Sequence, residues 1–131
     1  MESLQVRTGE IRLQILDDAG EERGIFKFNP SDVKAAQNFL SIQEEFEHKY
    51  AEFQEKAKHC ETAAQQASFL NELVDYFESL IDSCFGQGSS QILFGDAKTL
   101  SMFEDFFTGI TPYYQKASEE RIAKYGVKAG K

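Results

Sequence analysis

The stretch from Ile81 to Phe107, IDSCFGQGSSQILFGDAKTLSMFEDFF, constrains this chain more than any other. An apolar helical run reaches Phe85 and meets Gly86. A short polar segment with Gly88, Ser89 and Ser90 follows. Phe94-Gly95-Asp96 then repeats the Phe-Gly signal, and a phenylalanine-dense run begins. Glycine after an apolar helical run is the residue that most readily takes the left-handed turn of a helix end. Two such stops predict a joint between helices, with Gly86, Gly88, Gly95 and Asp96 as its structural residues. The joint is rich in punctuation and poor in reactive groups. It offers no nucleophile, base and orienting acid that converge. The residue chemistry points to an acidic, mainly helical domain built to pack or bind.

The flanks of the joint read as helices. Upstream, Phe69, Leu70, Leu73, Val74, Phe77, Leu80, Ile81, Cys84 and Phe85 form a wide apolar stripe. A stripe this wide predicts the central, most buried helix, with Phe69, Leu73, Phe77, Leu80 and Ile81 in the core. Glu61 to Gln66 is less apolar and reads as a break or as the start of that helix. Within the joint, Gln91 to Phe94 reads as a short helical turn ended by Gly95. Thr99 is a fair N-cap for the last helix, because Phe103, Phe106, Phe107 and Ile110 follow at helical spacing. Gly109 and Pro112 threaten a break, so Tyr113 to Tyr125 is expected as a separate or kinked helix.

The first helix is announced by Asn29-Pro30-Ser31-Asp32. Asn29 suits the N-cap, Pro30 the first helical position, and Asp32 the positive helix end. Val33, Ala36, Leu40, Phe46, Tyr50, Phe53 and Ala57 then recur at helical spacing, flanked by Phe39 and Ile42. Nothing from Ser31 to Lys58 would stop this helix. Before it, Val6 to Leu16 alternates, with Ile11, Leu13 and Ile15 on one side and Arg12 and Gln14 on the other. That predicts a half-buried strand. Asp17-Asp18-Ala19-Gly20 is turn chemistry. Ile25 to Phe28 reads as the return strand, after a loose connection lengthened by Glu21 to Gly24. A two-stranded hairpin is marginal alone, so it is expected to pack on a helix or on a neighbouring chain.

The predicted fold class is therefore mainly α (α+β): an N-terminal β-hairpin followed by a bundle of three to four helices. One domain over 1–131 is expected, since the chain is 131 residues long and domains commonly have about 100–150. It divides into a hairpin over 1–28, a helical part over 30–125 and a flexible basic tail over 126–131.

The formal net charge is −8. It argues against nucleic acid as a partner, because such binding needs a basic surface that displaces counterions. It argues equally against an anionic membrane. No apolar run approaches the roughly 20 residues that span a bilayer. Residues Met1 to Gln5 lack the basic and apolar regions of a secretory leader, so none is expected. Cys60 and Cys84 make no disulfide framework, which fits a reducing compartment.

Each reactive-looking motif has a plainer reading. Gly86-Gln87-Gly88-Ser89-Ser90 lacks the spacing and the lysine of a phosphate loop and follows a helix, so it reads as a helix-joining loop. His59-Cys60-Glu61, with His48 and Cys84, lacks the paired close spacing of zinc ligands. No metal and no cofactor are expected. Paired carboxylates such as Glu44-Glu45 and Glu119-Glu120 read as solvated helix faces, and no catalytic residue is assigned. The aromatic surplus is the better lead, with twelve Phe and five Tyr. Core packing is the default for Phe103, Phe106, Phe107, Tyr113 and Tyr114. Yet aromatics are favoured at interfaces, and Phe103, Phe106, Phe107 and Tyr113 are the candidate partner-binding residues.

The joint also carries a resemblance. Phe85-Gly86-Gln87-Gly88-Ser89-Ser90, then Phe94-Gly95-Asp96, then Phe103-Glu104-Asp105-Phe106-Phe107 resembles the C-terminal half of small tail assembly chaperones of long-tailed bacteriophages and prophages of Gram-positive hosts. The likeness covers roughly residues 70 to 114, and Phe26-Lys27-Phe28-Asn29-Pro30 also looks like members of that group. The resemblance implies a non-enzymatic role. Such a chaperone engages the long, helical tape measure protein before the tail tube protein polymerises around it. It acts in the cytoplasm of the infected bacterium and is lost from the finished tail. Some members are also made as a longer frameshifted form. Self-association is expected, because many copies must coat a long filament. Two other classes fit the composition: a structural tail-completion or connector protein retained in the virion, and a small helical adaptor domain.

Overall fold

Alternation along the first strand decides where the helices sit. The computed structural model describes residues 1–126. Strand β1 spans Ile11–Leu16 and strand β2 spans Glu22–Phe28, paired antiparallel as a two-stranded sheet. Ile11, Leu13 and Ile15 turn toward the helices with Phe26 and Phe28, while Arg12, Gln14, Ile25 and Lys27 face out. The strand expected from Val6 starts only at Ile11, and Val6 is exposed. The connection is also tighter than expected. Asp17 Oδ1 accepts from the backbone N–H groups of Ala19 and Glu21, both at 2.9 Å. That Asp-centred turn lets β2 begin at Glu22. The register steps from Ile15 opposite Gly24 to Leu16 opposite Glu22. Arg23 is thus the extra, bulged residue, and a bulge re-aims its side chain.

Four helices follow: α1 Val33–Ala57, α2 Ala63–Phe85, α3 Ser89–Phe94 and α4 Ser101–Tyr125. The hairpin and this bundle match the expected fold class. Helix α1 is capped by Asp32, whose carboxylate accepts from Ala35 N–H at 2.9 Å. Asn29 was the expected cap. Instead its side-chain oxygen accepts from the N–H groups of Ser31 and Asp32, turning the chain before the helix starts. Helix α2 opens on a capping box, with Thr62 Oγ1 accepting from Gln65 N–H at 3.1 Å and Gln65 returning a bond to Thr62 N–H. Residues 61–66 thus hold both: Glu61 and Thr62 end the break, and the helix starts at Ala63. Gly86 ends α2 at φ 113°, as its position after the stripe predicts.

The joint folds as α3. Gly88 precedes it in the left-handed region and Gly95 follows it. The Asp82 carboxylate, in the last turn of α2, accepts from the N–H and the hydroxyl of Ser90. This satisfies the Ser90 N–H, one of the backbone donors the start of a helix leaves open, together with the buried hydroxyl. The bulged Arg23 closes the other end by donating to Leu93 O at 3.5 Å. Asp96 accepts from the Gln91 side chain at 3.2 Å. Lys98 bridges Asp75 and Glu78 on α2, and its hydrogen bond to Glu78, then that to Asp75, raises its pKa.

Helix α4 corrects the expected break. It runs unbroken through Gly109 and Pro112. Phe103, Phe106, Ile110, Tyr114 and Ala117 are buried along it at steps of three or four residues. This stripe continues across the proline and holds both halves to the core. The carbonyl that Pro112 cannot bond is that of Thr108, an exposed residue. Thr99, the expected cap, accepts from Met102 N–H at 3.3 Å just before the first helical residue. Gly126 ends α4 at φ 68°. The rest of the expected basic tail, 127–131, lies outside the described residues.

The core is aromatic. Phe26 meets Phe85 at 5.1 Å and Phe106 at 5.9 Å between ring centroids, which ties the hairpin to α2 and α4. Phe46 stacks on Phe77 at 4.0 Å, tying α1 to α2. Burying such a side chain stabilises by ~1.5–3 kcal/mol. In α2, Leu73, Val74, Phe77 and Ile81 are buried, while Phe69 and Leu80 are half-buried at its margin. The α1 stripe is rotated from the expected one: Phe39, Ile42 and Phe46 are buried, whereas Val33 and Leu40 are 62% and 58% exposed. The rings of α2 and α4 select that face.

Candidate functional site

The four aromatic candidates divide across α4. Phe103 and Phe106 are 3% and 9% exposed and belong to the core. Neither projects from the surface: Phe103 packs edge-on against Phe77 and Phe94, and Phe106 against Phe26 and Phe85, so each can offer a partner only the base of a groove. Phe107 and Tyr113 are half-buried. Phe107 meets Phe46 at 4.6 Å, and Tyr113 meets Phe28 at 5.4 Å. The two therefore open onto different sides of the helix. Spacing alone could not separate them, since core and surface rings share the same helical period.

On the Phe107 side, α1 and α4 enclose a groove of about 360 Å³. Its floor is made by Phe46, Phe77, Phe103 and Phe107, with Leu100 at one end. Tyr50, 38% exposed, stands at its mouth. Glu47 from α1 and Glu104 from α4 form an acidic rim, and both are exposed. Gln43 donates to Thr111 Oγ1 at 3.3 Å and bridges the two walls near the groove. Sequence reading missed Tyr50, Glu47 and Leu100 as groove residues. Their signal lay in pairing α1 with α4, which no local pattern contains.

On the Tyr113 side, a groove of about 520 Å³ runs between β1 and α4. Leu13 and Ile15 form one wall and Met102, Gly109 and Tyr113 the other, with Phe106 also lining it. One residue beyond Tyr113, Tyr114 stacks on Phe39 of α1. Burial, with a smaller contribution from Cys84, pushes the Tyr114 phenol pKa upward. Burial likewise pushes the Cys84 thiol up to about 11, and it packs as an apolar residue.

The remaining motifs take structural places. Ser89 and Ser90 are buried, and Ser90 is bonded to Asp82. His48 and His59 lie on the surface beside Glu52 and Glu55. Among the described residues, no group of three or more His, Cys, Asp or Glu side chains is placed to hold a metal ion. Among them, too, no helix is long and apolar enough to cross a membrane.

Neither a curated protein nor a solved structure matches the chain. A family model does. Residues 23–130 match a family of unknown function (DUF6673), and the chain belongs to that family. The matched span takes in β2 from Arg23 onward and all four helices.

Proposed function

We propose that this protein is a non-enzymatic tail assembly chaperone of a long-tailed phage or prophage, and that its α1–α4 groove receives helical segments of a tape measure protein in the host cytoplasm. The groove is the observation that carries the reading. An apolar floor of four phenylalanines between two helices suits the apolar face of a third helix, read as anchors at i, i+3, i+4 and i+7. The Glu47 and Glu104 rim favours a segment with Lys or Arg beside those anchors and speeds encounter at low salt. The joint from Phe85 to Phe107, with its likeness to the tail chaperones, supports the same role.

The test is co-expression with the tape measure protein of the same phage. The reading expects co-purification and a larger soluble fraction of the tape measure protein. It also expects the protein to be missing from purified virions by mass spectrometry. Presence in virions, with no gain in tape measure solubility, would favour a connector.

A further inference from the structure

Residues 1–10 form no helix or strand and are exposed. Within them Leu4 and Val6 are 88% and 71% exposed. They stand two residues apart between Ser3, Gln5 and Arg7, so an extended chain places both on one face. Ile11 pairs with Phe28 at the hairpin's open end. Just before it, the Asn29 side-chain amide donates to Thr8 O at 2.9 Å. A Cβ on Gly9 would meet Ser31 Cβ at 2.6 Å, and Gly9 sits at φ +95°. That close approach and the Asn29 bond tie residues 8 and 9 to the Asn29–Ser31 corner, beside the start of β1.

The far edge of β1 is open. Its only strand partner is β2, and among the described residues no other backbone hydrogen bond reaches Ile11–Leu16. An open edge is a template for another strand. Beside it runs the groove between β1 and α4. Where α4 faces this lane it presents Gly109, and nothing lies within 4 Å of the position of a Cβ there.

We propose that the arm of one copy, Ser3 to Arg7, adds as a strand to the open β1 edge of a second copy, with Leu4 and Val6 turned into the groove. Five extended residues reach about 17 Å, comparable to a six-residue strand of about 20 Å. The added strand turns a marginal two-stranded ribbon into three strands. Charge permits it although the chain carries −8 overall. Glu2, just before the arm, offsets Arg7, and on the groove Asp18 and Asp105 outnumber Arg23 and complement Arg7. In this arrangement each copy gives one arm and takes another. The contact is head-to-tail and generates an open array. It uses the β1–α4 groove and stands apart from the α1–α4 groove.

Sedimentation velocity over a concentration series tests it, on the parent, on Leu4→Asp/Val6→Asp and on Gly109→Leu. The parent's mean mass rises with concentration, and both variants stay at the mass of one chain. The arm substitutions fall on exposed residues outside the fold, so their melting curves match the parent's. A labelled peptide of residues 1–8 binds the arm variant saturably and binds Gly109→Leu about tenfold or more weakly. A parent that remains one chain at every concentration overturns the proposal. So does association that the arm variant retains, and so does a peptide that fails to bind.

Discussion

The ring of Phe39 lies flat on the ring of Tyr114, with centroids 4.0 Å apart and planes 2° apart. This contact fastens α1 to α4 and fixes which face of α1 is buried. It also places Leu40, one residue along, in solvent.

Phe39→Ala is expected to cost ~3–5 kcal/mol, since deleting a buried ring adds a cavity to the lost transfer energy. Leu40→Ala is expected to stay within about 0.5 kcal/mol. Urea denaturation of the two variants checks the pair. Equal losses would mean that the α1 stripe runs through Leu40.

The Gly86 cap gives a second test. At φ 113° its conformation strains any L side chain, while the nearest atom to a built Cβ is Ser89 Oγ at 4.0 Å. The cost of Gly86→Ala is therefore conformational, on the order of 1 kcal/mol. A D-alanine placed there by semisynthesis is expected to recover that loss, because the space is open. A D-alanine variant no more stable than the L-alanine one would point to a clash.

Alkaline pH probes the Cys84–Tyr114 pair. Burial raises both acids above their ordinary values, the thiol to about 11. The folded state then holds protons that the unfolded state releases. Stability from these groups is full below their unfolded pKa values, near 9 for the thiol. It falls as pH rises through the folded values. Melting temperature is expected to decline from pH 9 upward, and Cys84→Ala is expected to flatten that slope over pH 9–11. The comparison uses the slope, because the lost packing shifts all points together. Parallel slopes would show that the thiol does not contribute.

What the sequence made legible was local. Gly86 and Gly95 end helices where glycine after an apolar run predicts, and Asp17 turns the hairpin by bonding its own neighbours. Pro112 misled for the same reason: it is a local breaker, and the stripe from Phe103 to Ala117 overrides it. The phase of α1 was ambiguous because two apolar rows share one period, and only the rings on α2 and α4 choose between them. Phe103 and Phe106 were indistinguishable from Phe107 by spacing. Arg23 reaching Leu93 is a contact across 70 residues, and no nearby pattern encodes it.

The most direct test of the chaperone reading is the affinity of purified protein for a tape measure helical segment, parent against Glu47→Lys/Glu104→Lys. Both glutamates are exposed, so the fold and its melting curve are expected to persist. Reversing the rim turns attraction for a basic-flanked helix into repulsion. The account predicts saturable binding by the parent and a loss of about tenfold or more in the variant. Equal affinity in the two proteins, or no binding by the parent, would contradict it.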